Sequence, residues 1–322
     1  MKNPSRFFFC SVFVSLCSVV SPAMAEETEF TIGPDYSDAP ETKARDGVPH
    51  GQVFEFTMDS KDSEIYPGIA KNQPGTVPYQ RKVAVYVPAQ YKPGSEAAFI
   101  VAQDGLGYRG FLPNVLDNMI HEKRLPVIVA VMINSGGGDS KGSERGLEYD
   151  TVSGTYTDFI EKEVLPKISG DYQIEFTQDP EGRATMGGSS GGAAAFTMAW
   201  FHPELYRKVL TYSGTYVNQQ FPDDPKTPHG AWEYHENLIR NSPKKPIRIW
   251  LHVSENDNGH EKDEASLHNW VMANQRMAAE LKAKGYDYRY VFAKAAGHTD
   301  RRVTKQTLPG ALEWLWRGYS AK

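Results

Sequence analysis

Residues 183–200 read RATMGGSSGGAAAFTMAW. A short apolar run from Ala184 to Met186 enters a Gly/Ser turn and leaves into an alanine-rich segment, a pattern that predicts strand, tight turn and buried helix. The turn fits G-x-S-x-G, in which a serine is held in a strained strand-to-helix corner with its hydroxyl exposed as a nucleophile. Two registers fit: Gly187, Ser189, Gly191, and Gly188, Ser190, Gly192. The first is preferred, because it leaves Gly192 in the first helical turn and makes Ser190 the residue whose N–H faces a developing oxyanion. The helix that follows directs free N–H groups and its positive dipole end at the same place. The chemistry these residue types support is attack on a carbonyl carbon through an acyl-enzyme.

A serine hydroxyl is a weak nucleophile at neutral pH, so it needs a base to take its proton and a third group to orient that base. On an open parallel sheet the chain order is serine, then acid, then histidine, each after a strand. Of nine histidines, His298 follows the last predicted strand, is preceded by glycine and lies downstream of a strand-end acid, whereas His260 and His268 lie around the acidic loop itself. Asp257, four residues beyond Val253, is the expected acid, with Glu255, Asp263 and Asp300 as alternatives. The second oxyanion donor is expected from the loop Asp104-Gly105-Leu106-Gly107, at Gly105 or Leu106. His260-Glu261 begins the H-e-x-x-H pattern of a zinc peptidase, but residue 264 is glutamate, so the pattern fails. No metal and no cofactor are expected.

These groups need a scaffold. Predicted strands cover residues 51–60, 81–88, 97–103, 126–133, 184–186, 207–214, 247–253 and 286–293. The runs AAFIVAQ, PVIVAVMI and IRIWLHV are apolar throughout, as central parallel strands are. Helices are predicted over 111–122, 155–168, 266–284 and 308–319. Alternating strands and helices imply a mostly parallel, doubly wound α/β sheet of about eight strands, with helices on both faces. The Gly-rich loop after Asn134 lacks the GK[ST] ending of a phosphate-binding loop. Residues 215–245 carry Pro222, Pro225, Pro228 and Pro243 around a short helical piece at 232–240 and are read as an insertion able to cover the site.

Lys2 and Arg6, an apolar run from Phe7 to Val20 and Ala23-Met24-Ala25 read as a secretory leader over residues 1–25, too short to span a membrane. Both cysteines, Cys10 and Cys17, fall inside it, so the remaining chain has no disulfide, thiolate metal site or cysteine nucleophile. Residues 26–50, acidic and polar, are read as a flexible lead-in to a single domain over 51–322. The net charge of −5 falls to −7 without Lys2 and Arg6, and no basic run suggests nucleic acid or membrane as a partner.

The ordered set YVPAQY, AAFIVAQDGLGY, LPNVLDNMI, LEYD, GGSSGGAAAFTMAW, NWVMANQRMAAEL and AAGH resembles the esterase family that includes esterase D, enterochelin esterases, feruloyl and acetyl-xylan esterases and mycolyltransferases, in its secreted bacterial branch. The likeness covers most of residues 51–317. It implies an α/β-hydrolase fold and a serine esterase with Ser189 as nucleophile, His298 as base and Asp257 as acid, and the Gln103–Gly105 segment resembles the family's oxyanion loop. Substrate contacts are expected from Tyr108, Glu148, Tyr149, Trp270 and Arg301. The expected partner is a small-molecule or polysaccharide-linked ester, of feruloyl or acetyl type. A siderophore trilactone, acyl transfer to a sugar hydroxyl and a non-catalytic binding role are the alternatives.

Overall fold

The computed structural model describes Met1 and residues 28–70, 75–137 and 144–320; the leader therefore lies, apart from Met1, outside the described residues. Ten strands form the sheet: β1 Glu29–Ile32, β2 Gln52–Asp59, β3 Gln80–Val87, β4 Glu96–Gln103, β5 Ile128–Ile133, β6 Glu175–Phe176, β7 Arg183–Gly188, β8 Lys208–Tyr212, β9 Arg248–Asn256 and β10 Asp287–Gly297. Their order is β1-β10-β9-β8-β7-β4-β5-β3-β2, with the short β6 beside β4. All neighbours are parallel except β5–β3 and β3–β2. The helices are α1 Leu112–His121, α2 Glu144–Tyr149, α3 Thr155–Phe159, α4 Leu165–Tyr172, α5 Ser190–Phe201, α6 Ile239–Asn241, α7 Trp270–Ala283 and α8 Arg301–Trp316, a π turn joining α3 to α4.

The sheet separates two apolar cores. One face packs the α3–α4 unit, α5 and α7 through residues such as Phe159, Phe196 and Met277, and the other packs α1 and α8 through Leu116, Met119, Leu312 and Leu315. Helix α5 lies against β7 and β8 and is buried almost all round, which is why its sequence is alanine-rich rather than amphipathic.

Three expectations change. Two further strands bring the sheet to ten. Residues 26–50 are not simply a flexible lead-in: β1 pairs with β10, and Phe30 and Ile32 pack against the second core. Helix α8 begins at Arg301, seven residues before the expected start, and runs through Pro309. A proline there frees the carbonyl four residues earlier, and that carbonyl, of Lys305, accepts the Ala39 N–H at 3.2 Å. The lead-in and the helix thus repair one another. The 215–245 segment is built into the first core through Tyr216, Val217, Trp232, Tyr234 and Ile239, all fully buried.

His252 in β9 is fully buried, and loss of hydration holds its pKa down to about 4 against the attraction of Asp257 and Asp300. The fold therefore requires the neutral imidazole. The stability this permits is whole above the unfolded value of about 6.5 and is lost as pH falls towards the folded value, by roughly 3 kcal/mol. His252→Phe is expected to flatten the decline in urea-unfolding free energy between neutral pH and pH 4; an unchanged slope would mean that the folded protein accepts the proton.

Candidate active site

Strand β7 runs into α5 through Ser189, whose φ of 57° and ψ of −131° are outside the ordinary regions for a side-chain-bearing residue. Such a corner demands bare neighbours. A Cβ on Gly187 would lie 2.3 Å from the Gly191 carbonyl oxygen, and one on Gly191 would lie 3.1 Å from the Gln103 Cβ. Ser190 is fully buried as the first residue of α5; its N–H has no intrahelical acceptor, whereas the Gly192 N–H donates to the Ser189 carbonyl at 2.9 Å.

β9 and β10 are parallel neighbours that end together, with Gly297 opposite Asn256 after a register shift, so the next residues of each, Asp257 and His298, emerge side by side. His298 Nδ1 donates to Asp257 Oδ1 at 2.5 Å, and Ser189 Oγ donates to His298 Nε2 at 2.8 Å. Asp257 is 1% exposed. Burial alone would raise its pKa, but the hydrogen bond and charge of His298, with the Ser213 hydroxyl at 2.6 Å and the Asn258 N–H at 2.8 Å, hold the carboxyl below the usual aspartate value. An ionised acceptor on Nδ1 leaves Nε2 free to take a proton from Ser189. Glu255 does something else: it accepts the N–H of Ala295, a residue at φ 52°, and so pins the β10 irregularity that delivers His298.

A cleft of about 570 Å³ opens over these groups, with Tyr108, Phe111 and Trp270 as aromatic walls and Asp104, Arg145, Gln219 and Arg301 as polar ones. Trp270 stands edge-on to His298, ring centres 6.0 Å apart, and its Nε1–H donates at 3.2 Å to Thr215 Oγ1, which is 3.4 Å from Ser189 Oγ. Arg145 is neutralised by Asp104 at 2.7 Å, and Arg302 by Asp300 at 2.6 Å; Arg301 has no carboxylate partner among the described residues. A larger hollow of about 900 Å³, bordered by β2, residues 60–66 and α3, lies apart from the three groups.

Of the expected substrate contacts, Tyr108, Trp270 and Arg301 line the cleft, whereas Glu148 and Tyr149 do not. Glu148 is buried against Arg81, and Tyr149 lies under the cleft floor, its hydroxyl accepting the Asp104 N–H at 3.3 Å. The helical turn of α2 points both into the core, which the E-Y-D string does not reveal. Neither Gly105 nor Leu106 is among the residues that line the cleft. A Cβ on Gly105 would lie 2.4 Å from the Met132 Cα, and the Leu106 N–H donates to Asn134 Oδ1 at 3.3 Å; from this loop it is Asp104, in a left-handed conformation, and Gly107 that line the cleft. Ser213, Thr215, Gln219 and Arg145 escaped the sequence reading. Ser213 lies at the end of the strand predicted over 207–214 and Thr215 directly follows it, where ligands gather at the carboxyl ends of parallel strands; Gln219 sits on irregular chain, and Arg145 on the six-residue α2, too short to show a period. Among the described residues, His229, Glu233 and Glu236 have ligand atoms within 4.8 Å of one another, a grouping the sequence reading did not name; it is off the cleft, and His229 already pairs with Glu236 at 2.7 Å.

A family model described as "Putative esterase" matches residues 75–315. The Bacillus subtilis protein YbbA, itself uncharacterized, is 22% identical over 250 residues, 73% of this chain and 92% of that one. Among solved structures, the enterobactin esterase of Shigella flexneri superposes with a TM-score of 0.58 at 19% identity, over 84% of this chain and 61% of that one. The ferulic acid esterase AmCE1/Fae1A of Anaeromyces mucronatus, solved with ferulic acid, gives 0.61 at 13% identity, over 86% and 95%. This chain thus spans only about three fifths of the enterobactin esterase. These likenesses place the sheet and its helices in the α/β-hydrolase fold.

Proposed function

Because the chain belongs to the Putative esterase family, we propose that it is an exported serine hydrolase that cleaves carboxylic esters with a single domain. The observation that carries this reading is the unbroken line Ser189, His298, Asp257 at 2.8 and 2.5 Å. Ser189 Oγ attacks the ester carbonyl while its proton passes to His298 Nε2, and the oxyanion rests on the Ser190 N–H at the head of α5. His298 then gives that proton to the departing alcohol. Water, deprotonated by His298, releases the acid and restores Ser189. Asp257 keeps the imidazole in the required tautomer and offsets its positive charge.

The aromatic walls Tyr108, Phe111 and Trp270 favour aryl or sugar-linked esters, of feruloyl or acetyl type. A second reading, an anionic siderophore trilactone, is favoured by Arg301, a cleft arginine without a carboxylate partner among the described residues. The test is hydrolysis of p-nitrophenyl acetate and methyl ferulate by the purified protein, beside labelling with a fluorophosphonate mapped by peptide mass spectrometry. Turnover with the label on Ser189 is expected; inertness to both esters and to the label would remove the catalytic reading.

A further inference from the structure

One acid near the cleft has no part in the mechanism above. Asp150 is 2% exposed, follows α2 directly and has one carboxylate oxygen, Oδ1, without a hydrogen-bond partner. Its Oδ2 accepts from Gln219 Nε2 at 3.2 Å, and the same Nε2 lies 3.4 Å from Ser190 Oγ. Burial pushes the Asp150 carboxyl up to about 6, against the opposing influence of Ser190, Gln219 and Arg145. At neutral pH and above it is therefore mainly ionised and can only accept. That decides how Gln219 sits: its amide nitrogen must face Asp150. Its carbonyl oxygen Oε1 then has no donor among the described residues, on a side chain that lines the cleft.

The backbone carrying Gln219 is fastened. Asn218 N–H donates to the Leu267 carbonyl at 3.0 Å, Thr151 Oγ1 donates to the Phe221 carbonyl at 2.8 Å, and Val152 N–H donates to Gln220 Oε1 at 2.9 Å. A fixed acceptor beside the serine pair, oriented from behind by a buried carboxylate, is built to select a donor. We propose that Gln219 Oε1, oriented by Asp150, forms a subsite that accepts a hydrogen bond from a hydroxyl group of the substrate close to the ester. This rests on the esterase reading and narrows its substrate class to esters with a neighbouring hydroxyl. Gln219 is the binding residue and Asp150 its positioning residue.

The hydroxyl can belong to the alcohol or to the acyl part, and two matched pairs of probes separate these. For the alcohol side they are 2-hydroxyethyl acetate and 2-methoxyethyl acetate; for the acyl side, methyl glycolate and methyl methoxyacetate. Each pair exchanges a donor for a methyl ether. In one pair, kcat/KM is expected to favour the hydroxyl about tenfold, the scale of one hydrogen bond, and the responsive pair identifies the side. Gln219→Met keeps the length and loses the acceptor, so its ratio should fall to within about twofold of one. Asp150→Asn can donate to Oε1 and turn the amide round, and it should do the same. A ratio is insensitive to a general loss of activity, so a merely structural role of Asp150 would not move it; should Asp150→Asn fail to fold, Gln219→Met decides. Ratios near one in both pairs for the unmutated enzyme, or a preference that survives Gln219→Met, would overturn the proposal and leave the esterase reading standing. Fluorophosphonate labelling with no turnover of any of the four probes would likewise overturn it alone. Absence of both labelling and turnover would remove the esterase reading and the subsite together.

Discussion

Ser189→Ala is expected to lower kcat for p-nitrophenyl acetate by roughly 10⁴ to 10⁶-fold with little change in KM, because it removes the atom that forms the acyl-enzyme. Ser190→Ala is expected to stay within about tenfold of the unmutated enzyme, since the group it contributes to the oxyanion is a main-chain N–H that alanine retains. The contrast follows from the corner itself. Ser189 occupies the strained conformation and has its Oγ 2.8 Å from His298 Nε2, whereas the Ser190 Oγ is 3.4 Å from Gln219 Nε2. Asp257→Asn should cost about 10⁴-fold, because an amide at that position no longer selects the imidazole tautomer that leaves Nε2 free. Steady-state kinetics on the three purified variants checks the set. A Ser189→Ala protein that keeps more than a hundredth of the activity would break the proposed mechanism, and a dead Ser190→Ala protein would move the nucleophile by one residue.

Glu148→Gln is expected to destabilise the protein by about 3–5 kcal/mol, the usual consequence of leaving one member of a buried ion pair uncompensated. Arg81 and Glu148 are 2% and 1% exposed. Arg81 Nη1 donates to Glu148 Oε2 at 2.6 Å and Nη2 to Oε1 at 2.5 Å, while Oε1 also accepts the Tyr79 hydroxyl at 2.8 Å and the Gly136 N–H at 3.1 Å. A neutral amide can satisfy some of these donors but cannot balance the guanidinium, which also stacks 4.6 Å from the Phe159 ring centre. For a domain of this size the loss corresponds to a fall in Tm of roughly 10 °C, readable by calorimetry. Replacing both residues with apolar side chains of similar volume should restore much of it. KM for any ester should be unmoved wherever the variant is folded, in contrast to what a substrate contact at Glu148 would produce.

Glu148 also marks where linear reading stops. The segment LEYD resembles its counterpart in the family and does lie near the site: Arg145 pairs with Asp104 at the cleft edge, Tyr149 supports Asp104 and Asp150 holds Gln219. Which of these side chains meets the cleft depends on how one short helix is rotated against α5 and α3, and a six-residue helix has too few turns for its apolar period to declare a face. The same limit applies at residues 104–107. The glycines said that backbone comes close to something; only packing shows that Gly105 approaches β5 and that Asp104 faces the cleft.

Other features were legible because they are local. The strained corner at Ser189 is written in the four surrounding glycines: a Cβ on Gly187 would meet the Gly191 carbonyl oxygen at 2.3 Å, and at Gly188, Gly191 and Gly192 it would be crowded at 3.1 to 3.2 Å. The apolar runs of β4, β5 and β9 announced strands covered on both faces, and their alternation with helices implied a parallel sheet. From a parallel sheet it follows that strand ends gather on one edge, which is why Asp257 and His298 could be named though they stand 68 and 109 residues beyond the serine in the chain. Left to the tertiary structure were the matters that depend on contacts between distant segments. Residues 29–32 acquire a strand only because β10 offers an open edge, α8 continues through Pro309 because Ala39 takes the carbonyl that proline frees, and Gln219 has one orientation because a buried Asp150 can only accept. By itself the amino-acid sequence determined the corner, the strands and the order of the three groups, since each is a property of neighbouring residues. Tertiary packing alone decided which side chains around them face solvent, substrate or core, because that is set by surfaces the chain brings together only once folded.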